Sequence, residues 1–275
     1  MHFTRYRKSW LSFTYQDISS QDKLSHDKLS HDILRIVLNT LHRTLTILCC
    51  FAAALLFAWK LLYLANYNYE FWYSQLSIEQ HIAKFAPQNR LNKTGFEKTT
   101  QEDRTELFRS IGHAINNGGE GLRTLEYQPH PEAKPIVFLT DPEAVHLEDV
   151  ANLIDFLEPI GWVATALLIV LVLLAIVGKI SLPGLKVSLL TLLITALLLT
   201  IVIVAVGPHD VFTALHEFVF PADHQWFFYY QDSLMTTLMK APDIFFAIGA
   251  VWAVLATIIY LLITFMFRLI ERARN

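Results

Sequence analysis

Four long apolar blocks constrain the fold of this chain more than any other feature of its sequence. A membrane-spanning helix needs about 20 consecutive, mostly apolar residues, and residues 45–65, 160–178, 187–207 and 244–267 each have about that length. The last three blocks contain no charged residue, and the first contains only Lys60, which lies near one end and can reach the interface. The sequence therefore predicts an all-α polytopic membrane protein with four transmembrane helices.

The overall composition agrees with a membrane protein and excludes several other classes. Hydrophobic residues make up 53% of the 275 residues and charged residues only 17%, whereas a soluble domain carries about 25% charged residues. The low charge and high hydrophobicity exclude disorder for most of the chain. The two cysteines, Cys49 and Cys50, are adjacent in the first apolar block, which excludes a disulfide-built scaffold. The net charge of -3 gives no basic field that would point to a nucleic-acid partner.

The positions of the basic residues predict the orientation in the membrane. Lysine and arginine collect on the cytoplasmic side of membrane proteins, and here they occur in the N-terminal arm, in the link between the second and third spans, and in the C-terminal tail. Four spans place these three segments on one side, so both termini are predicted to be cytoplasmic.

The predicted boundaries are 1–44 for a cytoplasmic arm with an amphipathic helix, 45–66 for the first span, 67–158 for an extracytoplasmic segment, 159–178 for the second span, 179–186 for a cytoplasmic turn, 187–207 for the third span, 208–243 for an aromatic-rich extracytoplasmic segment, 244–267 for the fourth span and 268–275 for a cytoplasmic tail.

Both extracytoplasmic segments are predicted to pack on the outer membrane face. The first ends in a helix that begins at Asp141 and Pro142, because aspartate is a good cap and proline suits the first helical position. The second, residues 208–243, is dense in aromatic residues and too apolar to be a free soluble domain. Its composition favours an interfacial structure that shapes a pocket for acyl chains, or else a simple aromatic belt.

Two histidines in these segments, His146 and His216, are the first candidates for a functional site. His146 comes 14 residues before the second apolar block, and His216 comes 9 residues after the third. Because a short link joins these two spans into a hairpin, their outer ends are expected to be close, and the histidines could meet there. The other outer histidines, including His224, are less well placed. Each candidate could be an interface residue, a metal ligand or an acid–base group.

The sequence lacks several motifs that mark common enzyme classes. It contains no GxSxG, no HExxH and no glycine-rich loop that would cradle a phosphate, and no cysteine is predicted near the outer face. An enzyme built on the two histidines would therefore use acid–base and oxyanion chemistry on a substrate that brings its own nucleophile.

Two blocks in the outer segments carry a resemblance to a known family. The first is His146-Leu-Glu-Asp149-Val150, and the second is Phe212-x-x-x-His216-x-x-x-Phe220 followed by Trp226, Asp232, Pro242 and Phe245-Phe246. With the four spans, their order resembles the lipoprotein intramolecular transacylases (Lit), a family of bacterial integral membrane proteins. The resemblance covers roughly residues 45–267. The long N-terminal arm and the polar insert near Asn116 depart from it but leave both blocks intact.

The resemblance implies a reaction in the bacterial cytoplasmic membrane, with the site on the extracytoplasmic side. The substrate would be a lipoprotein whose N-terminal cysteine carries a diacylglyceryl group. The sn-2 acyl chain would move to the cysteine α-amine and give a lyso-form lipoprotein. Lipoprotein and membrane lipids would be the partners, and an ester-to-amide transfer requires no cofactor.

The same resemblance implies roles for the residues of the two blocks. His146 and His216 would be the catalytic pair, with Asp149 placed to orient His146 because it lies one turn along the same helix. Substrate binding or site support would come from a further set, namely Phe212, Phe220, Trp226, Asp232 and Phe246. Two alternatives remain open: a metal-dependent membrane hydrolase, and a non-catalytic membrane scaffold or sensor.

Overall fold

Four helices dominate the computed structural model, which describes the backbone of residues 4–274 and the side chains of residue 28 and of residues 30–274. In that part of the chain, four helices are long and apolar enough to cross a membrane. They are α1 (Thr4–Leu64), α5 (Asp141–Ile176), α6 (Leu185–Val206) and α9 (Asp243–Arg274). Each predicted apolar block falls on one of them, so the prediction of four such helices is confirmed. The remaining side chains of the predicted N-terminal arm lie outside the described residues.

The central contact of the bundle joins α1 to α5 and α9. Small residues allow a close approach, because Ala53, Ala54 and Ala58 of α1 are buried and Gly161 of α5 lies directly against Leu56. Lys60, the one charged residue of the first apolar block, forms an ion pair within the bundle, which the sequence did not predict. Its ammonium group lies 2.7 Å from a carboxylate oxygen of Glu158 on α5.

The helix α6 stands apart from this central group. It packs chiefly against α9 and continues into α7 (Pro208–Val219), rather than packing along α5. The predicted hairpin of the second and third spans therefore has a short connection but no extensive helix–helix contact.

The helix α5 is much longer than a bilayer requires. Its 36 residues correspond to about 54 Å, whereas a hydrocarbon core is about 30 Å thick. The N-terminal third, which includes His146, thus extends beyond the apolar block. The helix begins where the sequence predicts, but its cap is Thr140 and not Asp141, because Thr140 and Glu143 form a reciprocal capping box.

A compact cap, defined here as residues 66–140, covers one end of the bundle. It contains α2 (Tyr69–Gln75), α3 (Ile78–Phe85), α4 (Gln101–Ile115) and a short antiparallel pair of strands, β1 (Glu126–Tyr127) and β2 (Ile136–Val137). Its core is apolar and continuous with the ends of α1 and α9.

The guanidinium of Arg104, only 2% exposed, holds part of the cap together. It donates hydrogen bonds to the Tyr73 hydroxyl at 2.6 Å, the Thr99 hydroxyl at 2.9 Å and the Glu97 carbonyl at 3.0 Å. Because a buried charge is costly unless it is fully paired, this network fixes the relative positions of α2 and α4.

The segment between α6 and α9 closes the cap. After α7 the chain runs without regular helix or strand through residues 220–233, called the strap here, and then forms α8 (Leu234–Met239). All six residues of α8 are buried, so the strap is anchored firmly at its C-terminal end.

The α1–α5 contact generates a stability prediction. In Gly161→Val the new Cβ would lie 3.0 Å from Leu56 Cβ, and a β-branched side chain has little freedom to turn away. We expect overpacking of about 1–3 kcal/mol, seen as a lower Tm in detergent. Gly249→Val is the matched control on α9, because a Cβ there meets no atom within 4 Å. An equal Tm for the two variants would contradict the proposed close packing.

Candidate functional site

A cavity of about 640 Å³ lies where the cap, α5, α7 and the strap meet. Its walls are mostly apolar and aromatic, and they include both candidate histidines together with Trp226 and Phe246. A second cavity of about 790 Å³ lies between α4 and the strand pair and contains neither candidate histidine. The functional site is therefore assigned to the first cavity.

His146 and His216 approach each other in this cavity from two different helices. His146 lies on the second turn of α5 and His216 on the last turn of α7. Their ring centroids are 6.2 Å apart, and the ring planes are inclined by 33°. A group of substrate size can therefore lie in contact with both imidazoles.

A hydrogen bond fixes the tautomer of His216. Its Nδ1 lies 2.8 Å from the backbone carbonyl oxygen of Phe212. Because a carbonyl oxygen only accepts, Nδ1 must carry the proton, and Nε2 of the neutral ring then holds a free lone pair. His216 is thereby prepared to accept a proton at Nε2.

The surroundings of both rings favour the neutral form. Burial lowers the pKa of His216 below its ordinary value of 6.5, and the Phe212 carbonyl opposes this effect only in part. Around His146, Phe220 and Phe228 supply apolar surface, with ring centroids 5.1 Å and 6.2 Å away. The Nδ1 atom of His146 is buried and has no hydrogen-bond partner among the described residues.

Four of the predicted supporting residues form an aromatic wall around the histidine pair. The ring centroids of Phe212, Trp226 and Phe220 lie 3.9 Å, 4.8 Å and 5.4 Å from the centroid of the His216 ring. Phe246 of α9 contacts Phe212 at 5.9 Å. The wall gives one side of the His216 ring an apolar surface.

Asp149 has a partner that the sequence did not suggest. It was expected to orient His146, but its Oδ2 lies 2.8 Å from Nδ1 of His224 in the strap. The side chain of Asp149 is only 12% exposed. His224 had been set aside as poorly placed, and no local pattern could have linked two residues that are 75 positions apart.

Asp232 lies outside the cavity wall. Its Oδ2 accepts a hydrogen bond of 2.7 Å from Arg90, and both side chains are exposed to a large extent. The backbone N–H of Arg90 also donates to the Gln231 carbonyl at 2.8 Å. Asp232 therefore helps to attach the end of the strap to the cap, and among the described contacts its partner is Arg90 and neither candidate histidine.

Glu143 is a buried residue that sequence reasoning missed. It lies one turn before His146, is fully buried, and accepts hydrogen bonds from the hydroxyls of Thr140 and Ser233. This carboxylate joins the start of α5 to the start of α8. The Thr140-x-x-Glu143 spacing of a capping box was a signal for the first bond, but nothing in the sequence indicated Ser233 as the second partner.

The positions of the described side chains also decide whether several of them could bind a metal ion together. Among residues 28 and 30–274, no group of three or more histidine, cysteine, aspartate or glutamate side chains lies close enough together to hold a metal ion. The histidines that line the cavity are His146, His209 and His216.

Comparison with known proteins gives two matches and one negative result. The family model described as lipoprotein intramolecular transacylase Lit matches residues 44–246. The chain is similar in fold to a structure of the membrane integral lipoprotein intramolecular transacylase Lit from Bacillus cereus, in a variant with one histidine replaced by arginine. That similarity has a TM-score of 0.57 and 13% identity, and it covers 88% of this chain and 98% of the other. No curated protein matches. Because the family model matches most of its length, the chain belongs to the lipoprotein intramolecular transacylase (Lit) family.

Proposed function

We propose that this protein transfers the sn-2 acyl chain of a diacylglyceryl lipoprotein to the α-amine of the lipoprotein's N-terminal cysteine. The proposal includes a location in the bacterial cytoplasmic membrane with the cavity on the extracytoplasmic side. The observation that carries it is the pair of histidines, 6.2 Å apart, at an aromatic cavity next to the membrane-spanning helices.

The substrate supplies the nucleophile in this reaction. The cysteine nitrogen attacks the ester carbonyl carbon, the N–C bond forms, the bond from that carbon to the glycerol oxygen breaks, and one proton moves from nitrogen to the glycerol oxygen. An α-amino group has a pKa of about 7.7–8.0, so a histidine can remove its proton without extreme tuning. Amine and ester belong to one molecule, and alignment of such groups contributes effective molarities of about 10⁵ M or more.

His216 is the proposed base. The hydrogen bond from its Nδ1 to the Phe212 carbonyl leaves Nε2 free to take the amine proton and then to give it to the leaving glycerol oxygen. The imidazole returns to its starting tautomer, so no other proton carrier is needed.

His146 is proposed to support the oxyanion of the tetrahedral intermediate. Its Nδ1 is buried without a partner among the described residues, so we assign the N–H that meets the developing negative charge to Nε2. One well-placed donor of this kind contributes about 2.7–4 kcal/mol. The aromatic wall of Phe212, Phe220, Trp226 and Phe246 would hold the glyceryl and acyl groups and exclude water, which competes with the amine for the ester.

Replacement of either histidine should abolish transfer. General acid–base catalysis contributes typically 10²–10⁴-fold, so we expect His146→Ala and His216→Ala to lose at least 100-fold in rate. The measurement is mass spectrometric fragmentation of a lipoprotein's N-terminal peptide from bacteria that otherwise keep the diacylglyceryl form. Fragmentation is essential because substrate and product are isomers.

The matched control is His113→Ala, an exposed histidine on α4 that lies outside the cavity. It should behave as the wild type. Full activity in either cavity variant would remove the histidine pair from the mechanism, and an unchanged acyl position with wild-type protein in the membrane would favour a scaffold.

The pH dependence should reflect the lowered pKa of His216. The base works only when neutral, and a lowered pKa keeps it neutral to lower pH than an exposed histidine. The attacking amine must be neutral too, and its pKa of about 7.7–8.0 is higher. We therefore expect log kcat, measured at saturating lipoprotein, to fall by one unit per pH unit below that value and by two units per pH unit only below pH about 6.5. A slope of two that begins above pH about 6.5 would contradict His216 as the base.

A transfer that uses the substrate's amine and two imidazoles should be indifferent to metal chelators. We expect incubation of the purified protein with EDTA or 1,10-phenanthroline to leave the rate unchanged within about twofold. Loss of activity that is restored by zinc would instead support the metal-dependent hydrolase, which would release free fatty acid and not an N-acyl product.

A further inference from the structure

We propose that Asp149 and His224 form a latch that holds the strap over the histidine pair, and that His224 is a positioning residue for the acyl transfer. This inference rests on the proposed function, because it assigns a role in the same reaction. His224 lies within the second block but is not one of the residues on which the resemblance rests.

The latch ties the strap to the same helix that carries His146. Asp149 lies one turn after His146 on α5, and its carboxylate meets the His224 ring at 2.8 Å. On the strap, His224 lies between Phe220 and Trp226, the two residues whose rings lie 5.4 Å and 4.8 Å from His216. This hydrogen-bonded pair thus joins α5 to the stretch of chain that carries Phe220 and Trp226.

The two ends of the strap are held very differently. At the C-terminal end, Ser233 bonds to buried Glu143, the Tyr230 hydroxyl donates to the Ala241 carbonyl at 2.6 Å, and Arg90 donates to the Gln231 carbonyl. Between residues 221 and 229, the His224–Asp149 contact is the single hydrogen bond from the strap to another element within the described part of the chain. Loss of that contact would leave this stretch held by ring contacts such as that of Trp226 with His216, while the C-terminal end keeps its hydrogen bonds.

The electrostatics of the pair suit a latch. Asp149 is largely buried, whereas His224 is 36% exposed. The hydrogen bond and charge of Asp149 raise the pKa of His224, which favours an ion pair over a neutral contact. A carboxylate buried beside an apolar cavity needs such a partner, so the pair also keeps Asp149 from facing the substrate uncompensated.

The expected consequence is a loss of alignment and not of binding. A lipoprotein that carries two acyl chains gains most of its binding from apolar surface, which the strap variants keep. Acyl transfer, however, depends on a close and aligned approach of amine and ester, and small misplacements are costly. Breaking the latch should therefore lower kcat and leave KM almost unchanged.

The test is a double-mutant cycle on the purified, full-length protein. We expect Asp149→Asn and His224→Gln each to lower kcat about tenfold with KM within twofold, and the double variant to lose no more than either single variant. Glu148→Gln is the matched control. It removes a carboxylate next to Asp149 on the same helix, but that carboxylate pairs with Arg123 of the cap at 2.9 Å, so its kcat should stay within twofold of the wild type.

Three outcomes would overturn the latch. They are wild-type kcat in His224→Gln, a double variant whose loss equals the product of the single losses, and a Glu148→Gln loss as large as that of Asp149→Asn. Because His224 is partly exposed, its variant should fold even if Asp149→Asn does not. The wild-type protein and His146→Ala are assayed beside these variants to separate failure of the latch from failure of the proposed function. No transfer by the wild type would refute the proposed function. Transfer by the wild type together with an unaffected His224→Gln would refute the latch alone.

Discussion

The position of α5 is the constraint on which the rest of this structure depends. Inside the bundle it is set by the close approach of Gly161 to Leu56 and by the ion pair of Glu158 with Lys60. Beyond these contacts α5 contains Pro159, which removes one hydrogen bond from the helix interior. The first three turns, which include His146 and Asp149, are therefore also held by local contacts: Leu147 belongs to the apolar core of the cap, and Glu143 accepts a hydrogen bond from Ser233.

The site combines this rigid helix with a segment that has no regular structure. From the strap, Phe220 and Trp226 contact His216, Phe228 contacts His146, and His224 bonds to Asp149. Such an arrangement suits the lipoprotein substrate that we propose. The apolar enclosure also keeps His216 neutral, because desolvation disfavours the imidazolium.

Much of the fold and part of the site could be predicted from the sequence. The four apolar blocks gave the spanning helices, and the pattern around Asp141 gave the start of α5 within one residue. His146 and His216 meet as expected, although for a different reason. The hairpin of α5 and α6 was expected to unite them, whereas α6 packs chiefly on α9, and it is α7 that turns back to bring His216 to α5. Asp149 bonds to His224 and not to the predicted partner His146. Helical spacing favours the nearest neighbour along a helix and carries no signal for a residue in a distant loop.

The sequence by itself determined which segments are apolar enough to span a membrane, where helices begin, and which residue types are available for chemistry. These features depend on local composition and on the fixed geometry of the helix. Only the tertiary structure decided which histidine donates a hydrogen bond to which carboxylate, which nitrogen of His216 carries the proton, and that Glu143 and Ser233 join α5 to α8. Such pairings depend on distances between residues far apart in the chain, and those distances are set by the packing of whole helices and not by any short stretch of sequence.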